Sequence, residues 1–154
     1  MNKEDTLLLG EIIRQMELQG LPLNIEACHV HLGVFVQPWL DAIRQGRKTV
    51  ESRFSKNRMA PYHRISVADV VFVKESCGAC LGWLELDGVE FFDLRETKLE
   101  TLRLQYGAQL CVDEGFWQNK AASRYATLLF LREYHPLIPF NLHKHSRQTW
   151  LVLK

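Results

Sequence analysis

Six runs rich in β-branched and aromatic residues recur along the chain, at 29–35, 49–54, 69–74, 81–92, 125–134 and 148–153. Turn residues bound most of them, and several alternate between apolar and polar positions, so each reads as a strand. A single short helical segment is tucked between the first run and the second. Many short strands with one helix tucked after the first predict an α+β protein: a small closed or nearly closed β-barrel with flanking helices. No internal repeat is visible, and no linker splits the pattern.

The helices are announced by their ends. Residues 4–18 carry Leu8, Ile12 and Met16 at helical spacing, with Gly20 as a stop. This segment reads as an N-terminal helical extension over 1–27, placed before a domain over 28–154. Pro38 suits the first turn of a helix whose face holds Trp39, Leu40 and Ile43, and Gly46 can close it in a left-handed cap. Asp93 with Glu96, or Thr97 with Glu100, forms a capping-box signature for a helix ending at Gly107. Asp113 can cap a further short helix carrying Phe116 and Trp117. Asp87-Gly88 reads as a bulge or turn in the fourth strand, and Pro136 and Pro139 open a loop after the fifth.

At 154 residues the chain is the size of one domain, with ~70% of its unfolded surface available for burial, so no metal or disulfide is needed to fold it. Its 47% hydrophobic and 24% charged residues exclude a disordered chain. Lys and Arg number 19 against 18 Asp and Glu, which argues against a polybasic coat protein. The charge is nevertheless segregated. Arg44, Arg47, Lys48, Arg53, Lys56, Arg58 and Arg64 face only Glu51 between positions 42 and 66, about +6 in that segment. Residues 75–100 carry about −5. A local positive patch on a neutral protein is therefore expected. No run approaches the ~18 apolar residues of a spanning helix, and the acidic start does not resemble a secretory signal. The expectation is a cytoplasmic protein, with no membrane partner and with reduced cysteines at 28, 77, 80 and 111.

The most informative stretch is Gly46-Arg47-Lys48-Thr49-Val50-Glu51-Ser52-Arg53. In a strand, Thr49, Glu51 and Arg53 point to one face and Val50, Ser52 and Phe54 to the other. A carboxylate then lies beside a guanidinium and within reach of an ammonium. The carboxylate can hold one cation so that the other grips a phosphate. Alternatively Lys48 takes a proton while Glu51 orients it or shares the acid–base work. A plain ion pair on a sheet face is the structural alternative.

With Gln37-Pro38-Trp39 before it and Asp69-Val70-Val71-Phe72 after a basic loop, this Gly46-x-Lys48-x-x-Glu51-x-Arg53 pattern resembles the ASCH domain, a member of the PUA-like superfamily of small β-barrels. The resemblance extends over Gly82, Phe116-Trp117, the strand from Tyr125 to Leu131 and Trp150-Leu151-Val152. It implies a cleft between the first helix of the barrel and the sheet, lined by Lys48, Glu51 and Arg53. It also implies an RNA or nucleotide-like ligand and no cofactor. Some members are hydrolases. One branch removes the acetyl group of N4-acetylcytidine with a Lys, a Thr nucleophile and a Glu, and another is a ribonuclease. Here Glu51 occupies the position of that Thr, so Lys48 and Glu51 are the catalytic candidates only if another chemistry operates. Asp113 or Glu114 is a candidate distal carboxylate.

Further ligand-binding candidates surround the motif. Arg58 and Tyr62, with His63, combine cations for phosphate with rings for bases. Trp39 is either core or a stacking platform. Trp117 and Tyr125 bracket Lys120 and Arg124, which suits the far wall of a cleft. The loop 143–147 adds positive charge below pH ~6.5. Cys77-x-x-Cys80 reads as a turn between strands, and His29-x-His31 as partly satisfied histidines at a barrel edge, since neither has further metal ligands in sight. A protein-interaction module remains a third functional class beside ligand binding and hydrolysis.

Overall fold

The computed structural model describes residues 2–154. Along the chain run α1 (Lys3–Leu18), β1 (Val30–Phe35), α2 (Trp39–Arg44), β2 (Val50–Ser55), β3 (Val70–Glu75), β4 (Cys80–Asp93), α3 (Leu99–Leu110), α4 (Glu114–Lys120), β5 (Tyr125–Phe140) and β6 (Trp150–Val152). The strands form a mixed sheet in the order β2-β5-β4-β3-β1-β6, so the class is α+β, as the strand pattern predicts. Two compact units are built on it. One comprises the chain up to Val36, Ala68–Glu85 and Glu133–Lys154, and the other Gln37–Val67 and Leu86–Arg132.

In the first unit, β1 pairs parallel with β3, from Val30↔Val70 to Phe35↔Glu75, and antiparallel with β6. A parallel pair needs a long crossover, and residues 36–69 supply it. The apolar stripe of α1 (Leu8, Leu9, Ile12, Met16) is buried with Val30, Leu32, Phe72, Leu151 and Leu153. Full burial of a side chain such as Ile12 is worth about 1.5–3 kcal/mol. The helix begins where Asn2 Oδ1 accepts from the Asp5 N–H at 2.8 Å. It ends before Gly20, whose φ of +74° is left-handed.

His31 is fully buried in this core rather than partly satisfied at an edge. The Trp150 indole N–H donates to its Nδ1 at 3.0 Å, which assigns the ring proton to Nε2, and Nε2 donates to Asp69 Oδ2 at 3.0 Å. Asp69 Oδ1 accepts from the His29 N–H at 3.0 Å. One carboxylate thus ties the start of β1 to the residue preceding β3. Both ring nitrogens of His31 are used internally, which removes it as a metal ligand. Cys77 is exposed in a turn and Cys80 is buried; both are free thiols. Burial pushes the Cys80 thiol up to about 12.

In the second unit, β2 pairs antiparallel with β5 from Val50↔Phe130 to Ser55↔Tyr125. Directly opposed residues share a face. Val50, Ala126 and Leu128 on one face are buried with Leu102 and Leu110 of α3 and Trp117 of α4, and Phe54 and Phe130 pack against them. Glu51, Arg53, Thr127 and Leu129 therefore belong to the opposite face.

The structure corrects three local expectations. The fourth strand runs unbroken through Asp87-Gly88, so no turn interrupts it there. Its pairing with β3 has an irregularity at Leu81, between the pairs Val73↔Gly82 and Lys74↔Cys80. No capping box starts α3: its N-cap is Lys98 without a side-chain bond, while Asp93 Oδ1 accepts from the Arg95 N–H at 3.0 Å. That helix also passes Gly107 and ends at a left-handed Cys111, because Leu110 continues into the core. Finally, Pro136 and Pro139 lie inside β5. This part of β5 is beyond its pairing with β2, where a missing N–H is tolerated. Between the prolines, the Gln19 side chain acts as a strand partner. Its Nε2 donates to the Ile138 carbonyl at 2.9 Å, and its Oε1 accepts from the Ile138 N–H at 2.8 Å.

Candidate functional site

The motif is set by the turn that ends α2. Gly46 has φ +76°, a region that costs any residue with a Cβ. Its N–H donates to the Ile43 carbonyl at 3.0 Å, and the Arg47 N–H reaches back to the Ala42 carbonyl at 2.9 Å. These two bonds form a Schellman cap, which satisfies the last carbonyls of α2 and reverses the chain. The Lys48 N–H also donates to Ala42, so the backbone of Lys48 is fixed before β2 begins.

Lys48 is only 3% exposed. Its ammonium donates to the carbonyl of Leu110, at the C-terminus of α3. Unpaired carbonyls and the negative end of the helix dipole make that terminus a natural seat for a cation. Burial nevertheless pushes the Lys48 ammonium below the ordinary lysine range, while Glu51 works in the other direction. Glu51 is 7% exposed, and its Oε1 accepts from the Ser52 N–H at 2.8 Å. Arg53 is half-buried; burial lowers its pKa and Glu51 raises it.

Lys120, on α4, completes the group. Its ammonium lies 5.2 Å from the centre of the Phe116 ring and 5.8 Å from that of Phe54. Burial lowers its pKa first, the positive charge of Arg53 lowers it further, and Glu51 raises it. The negative charge of Glu51 acts on Lys48, Arg53 and Lys120, and in this group cations outnumber carboxylates. Phe116 and Lys120 stand four apart on α4, the spacing at which helix neighbours meet. That spacing is the sequence signal for the fourth member.

A second cluster lies on the Glu51–Arg53 face of the sheet. Tyr125 opposes Ser55, two positions along β5 from buried Thr127, which opposes Arg53. The Tyr62 ring is 4.8 Å from that of Tyr125 and 5.7 Å from that of Phe91. The exposed Arg58 guanidinium is 5.5 Å from the Tyr62 ring and 5.6 Å from the Tyr125 ring. Arg124 lies 4.9 Å over Tyr125 and reaches Asp93 at 3.5 Å. The cluster alternates cations and rings.

Both tyrosines of this cluster are buried, as is Trp117 among the remaining candidates. Trp39 is half-buried with its ring 5.9 Å from Phe116. Trp117 is buried in the core of this unit, edge-on to Phe54 and Phe116. Asp113 caps α4, accepting from the Phe116 N–H at 2.9 Å, and Glu114 pairs with Arg103 at 2.9 Å. Both carboxylates are thus engaged locally. In the other unit, a groove of about 840 Å³ runs along α1, lined by Leu7, Leu8, Glu11 and His143 among others. No motif residue lines it. No helix among the described residues is long and apolar enough to cross a membrane.

Comparison with known proteins bears on this geometry. The ASCH domain family model matches residues 34–141, a span that contains every motif and cluster residue above and omits α1 and β6. None of the curated proteins matches the chain in sequence. Among solved structures, the ASCH protein of Zymomonas mobilis matches with a TM-score of 0.63 at 21% identity, over 81% of this chain and 87% of that one. A single-substitution variant of it gives 0.64 at 19% identity, over 81% and 88%. At these identities the likeness is one of fold.

Proposed function

Since the chain belongs to the ASCH domain family, we propose that the face around Lys48, Glu51 and Arg53 binds a phosphate-bearing ligand, RNA or a nucleotide-like molecule. The observation that carries this reading is the excess of cations around one carboxylate, with Lys48 and Glu51 buried and Arg53 and Lys120 half-buried. A surplus held where the dielectric is low attracts an anion more strongly than the same charge on an open surface. Glu51 holds the cations in place, and a phosphate completes their neutralisation. The exposed Arg58, packed over the buried rings of Tyr62 and Tyr125, adds a further cation for a neighbouring phosphate.

The test is anisotropy of a labelled mixed-sequence single-stranded RNA at low and moderate salt. The wild type is expected to bind with salt-sensitive affinity, and Lys120→Ala and Arg58→Ala to weaken binding and flatten its salt dependence. Arg53→Lys retains charge but loses the planar fork, and is expected to weaken binding as well. Wild-type protein that ignores RNA at low salt, or variants equal to it, would overturn the reading.

Hydrolysis in the same cleft is the second reading, favoured by the buried Lys48 beside Glu51. A lysine with a lowered pKa is a competent proton acceptor. Here Lys48→Arg is the informative variant, because it keeps the positive charge and removes the titratable amine. Cleaved RNA on a gel, or acetate released from an acetylated nucleoside, lost in Lys48→Arg and retained in Cys77→Ser, would identify an enzyme.

A further inference from the structure

In the first unit, far from the motif in sequence, Glu85 of β4 and Glu133 and His135 of β5 bring one ligand atom each to within 4.8 Å of one another. His135 Nε2 lies 3.2 Å from Glu85 Oε1 and 3.6 Å from Glu133 Oε2. Nε2 is sealed from solvent, yet it makes no hydrogen bond with either oxygen. Three ligand atoms this close together, one of them a buried nitrogen that makes no hydrogen bond, suit a common centre. A tetrahedral Zn²⁺ with ligands at 2.0–2.1 Å places neighbouring ligand atoms about 3.3–3.4 Å apart, which the two histidine separations bracket.

Two features hold this arrangement in place. The Trp83 indole stacks on the His135 ring at 4.0 Å between centroids and 14° between planes, which fixes the direction of Nε2. Gly82 lets β5 approach β4, because a Cβ there would stand 2.5 Å from the His135 carbonyl and 2.6 Å from the Tyr134 ring. The charge also asks for a cation. Among the described residues, neither Glu85 nor Glu133 has a Lys or Arg partner within ion-pair distance.

We propose that Glu85, Glu133 and His135 form a binding site for a divalent transition-metal ion of the zinc type. The two carboxylates neutralise the charge of the ion, and the imidazole selects against Mg²⁺ and Ca²⁺, which prefer oxygen. Three protein ligands leave the fourth position to water. Nothing in the phosphate-binding reading is needed for this site, and its failure would leave that reading intact.

The test is titration of the full chain with Co²⁺, read by its visible d–d bands, followed by displacement with Zn²⁺. One equivalent is expected to bind, with no thiolate-to-cobalt charge-transfer band. His135→Gln and Glu85→Gln are each expected to weaken binding by about tenfold or more. Cys77→Ser is expected to bind as the wild type does, and excess Mg²⁺ to displace nothing. Near-UV circular dichroism establishes that each variant is folded, and the surface position of Glu85 makes its variant the safer of the two. Zn²⁺ should also raise the Tm of the wild type and not of Glu85→Gln. No Co²⁺ uptake, uptake equal in His135→Gln, or a thiolate band would overturn the assignment.

Discussion

The ammonium of Lys48 is hydrogen-bonded to the carbonyl of Leu110, so the central cation of the motif is also the cap of α3. Removing the side chain strands a helix-end carbonyl and takes one counter-charge from buried Glu51. Lys48→Met is expected to cost about 1–3 kcal/mol, read as a lower urea midpoint with an unchanged m-value. The pH dependence has a definite sign. Burial holds the folded pKa of Lys48 below the ordinary 10.5, so between the two values the unfolded chain binds more protons. The contribution of Lys48 to stability is therefore complete above pH 10.5 and is lost as pH falls through the lowered folded value. The difference in stability between wild type and Lys48→Met should widen from pH 7 to pH 10.

Gly46 positions that lysine. Its Cβ would meet open space, so the cost of Gly46→Ala is conformational rather than steric. About 1 kcal/mol is expected from the left-handed backbone alone. The same substitution should weaken RNA binding if the turn aims Lys48. Equal affinity in a folded Gly46→Ala protein would separate the turn from the site.

Asp69 serves His31 Nε2 and the His29 N–H together, and it is buried with His31. Asp69→Ala leaves the buried His31 donor without this acceptor. Destabilisation of about 3–5 kcal/mol is expected, the range for breaking a buried polar network. Trp150→Phe removes only the indole donor to Nδ1 and should cost less, about 1–3 kcal/mol. Thermal unfolding of the two variants in parallel gives the ranking.

Cys80 gives an alkaline signature of opposite sign to that of Lys48. Its folded thiol titrates at about 12, against an ordinary 9.0, so above pH 9 the unfolded chain releases its proton first. Stability from this group is complete below pH 9 and is lost as pH rises towards 12. Cys80→Ala should remove that decline. A thiol reagent at neutral pH should modify exposed Cys77 quickly and Cys80 only on unfolding.

What was legible in the sequence was local. The alternation around Val50–Phe54 assigned Glu51 and Arg53 to one face, and the strand pairing agrees. Gly46 announced the turn and Asp113 the start of α4, because each acts through bonds spanning three to five residues. The elements misread were those decided by partners remote in sequence. The β5 segment with Pro136 and Pro139 is a strand of the sheet, and its Ile138 backbone is bonded by the side chain of Gln19, far away in sequence. The third helix passes Gly107 because Leu110 has a core to enter.

The candidate site divides in the same way. The sequence by itself determined that Lys48, Glu51 and Arg53 stand at the start of one strand after a helix stop, since spacing of a few residues fixes direction through backbone geometry. Only the tertiary structure brought Lys120 into the field of Arg53 and Glu51, Leu110 to Lys48 and Tyr125 onto the face of Arg53. It alone assembled Glu85 with Glu133 and His135. These relationships depend on which strands pair and in what register, and register is settled by burial of side chains that lie far apart in the chain.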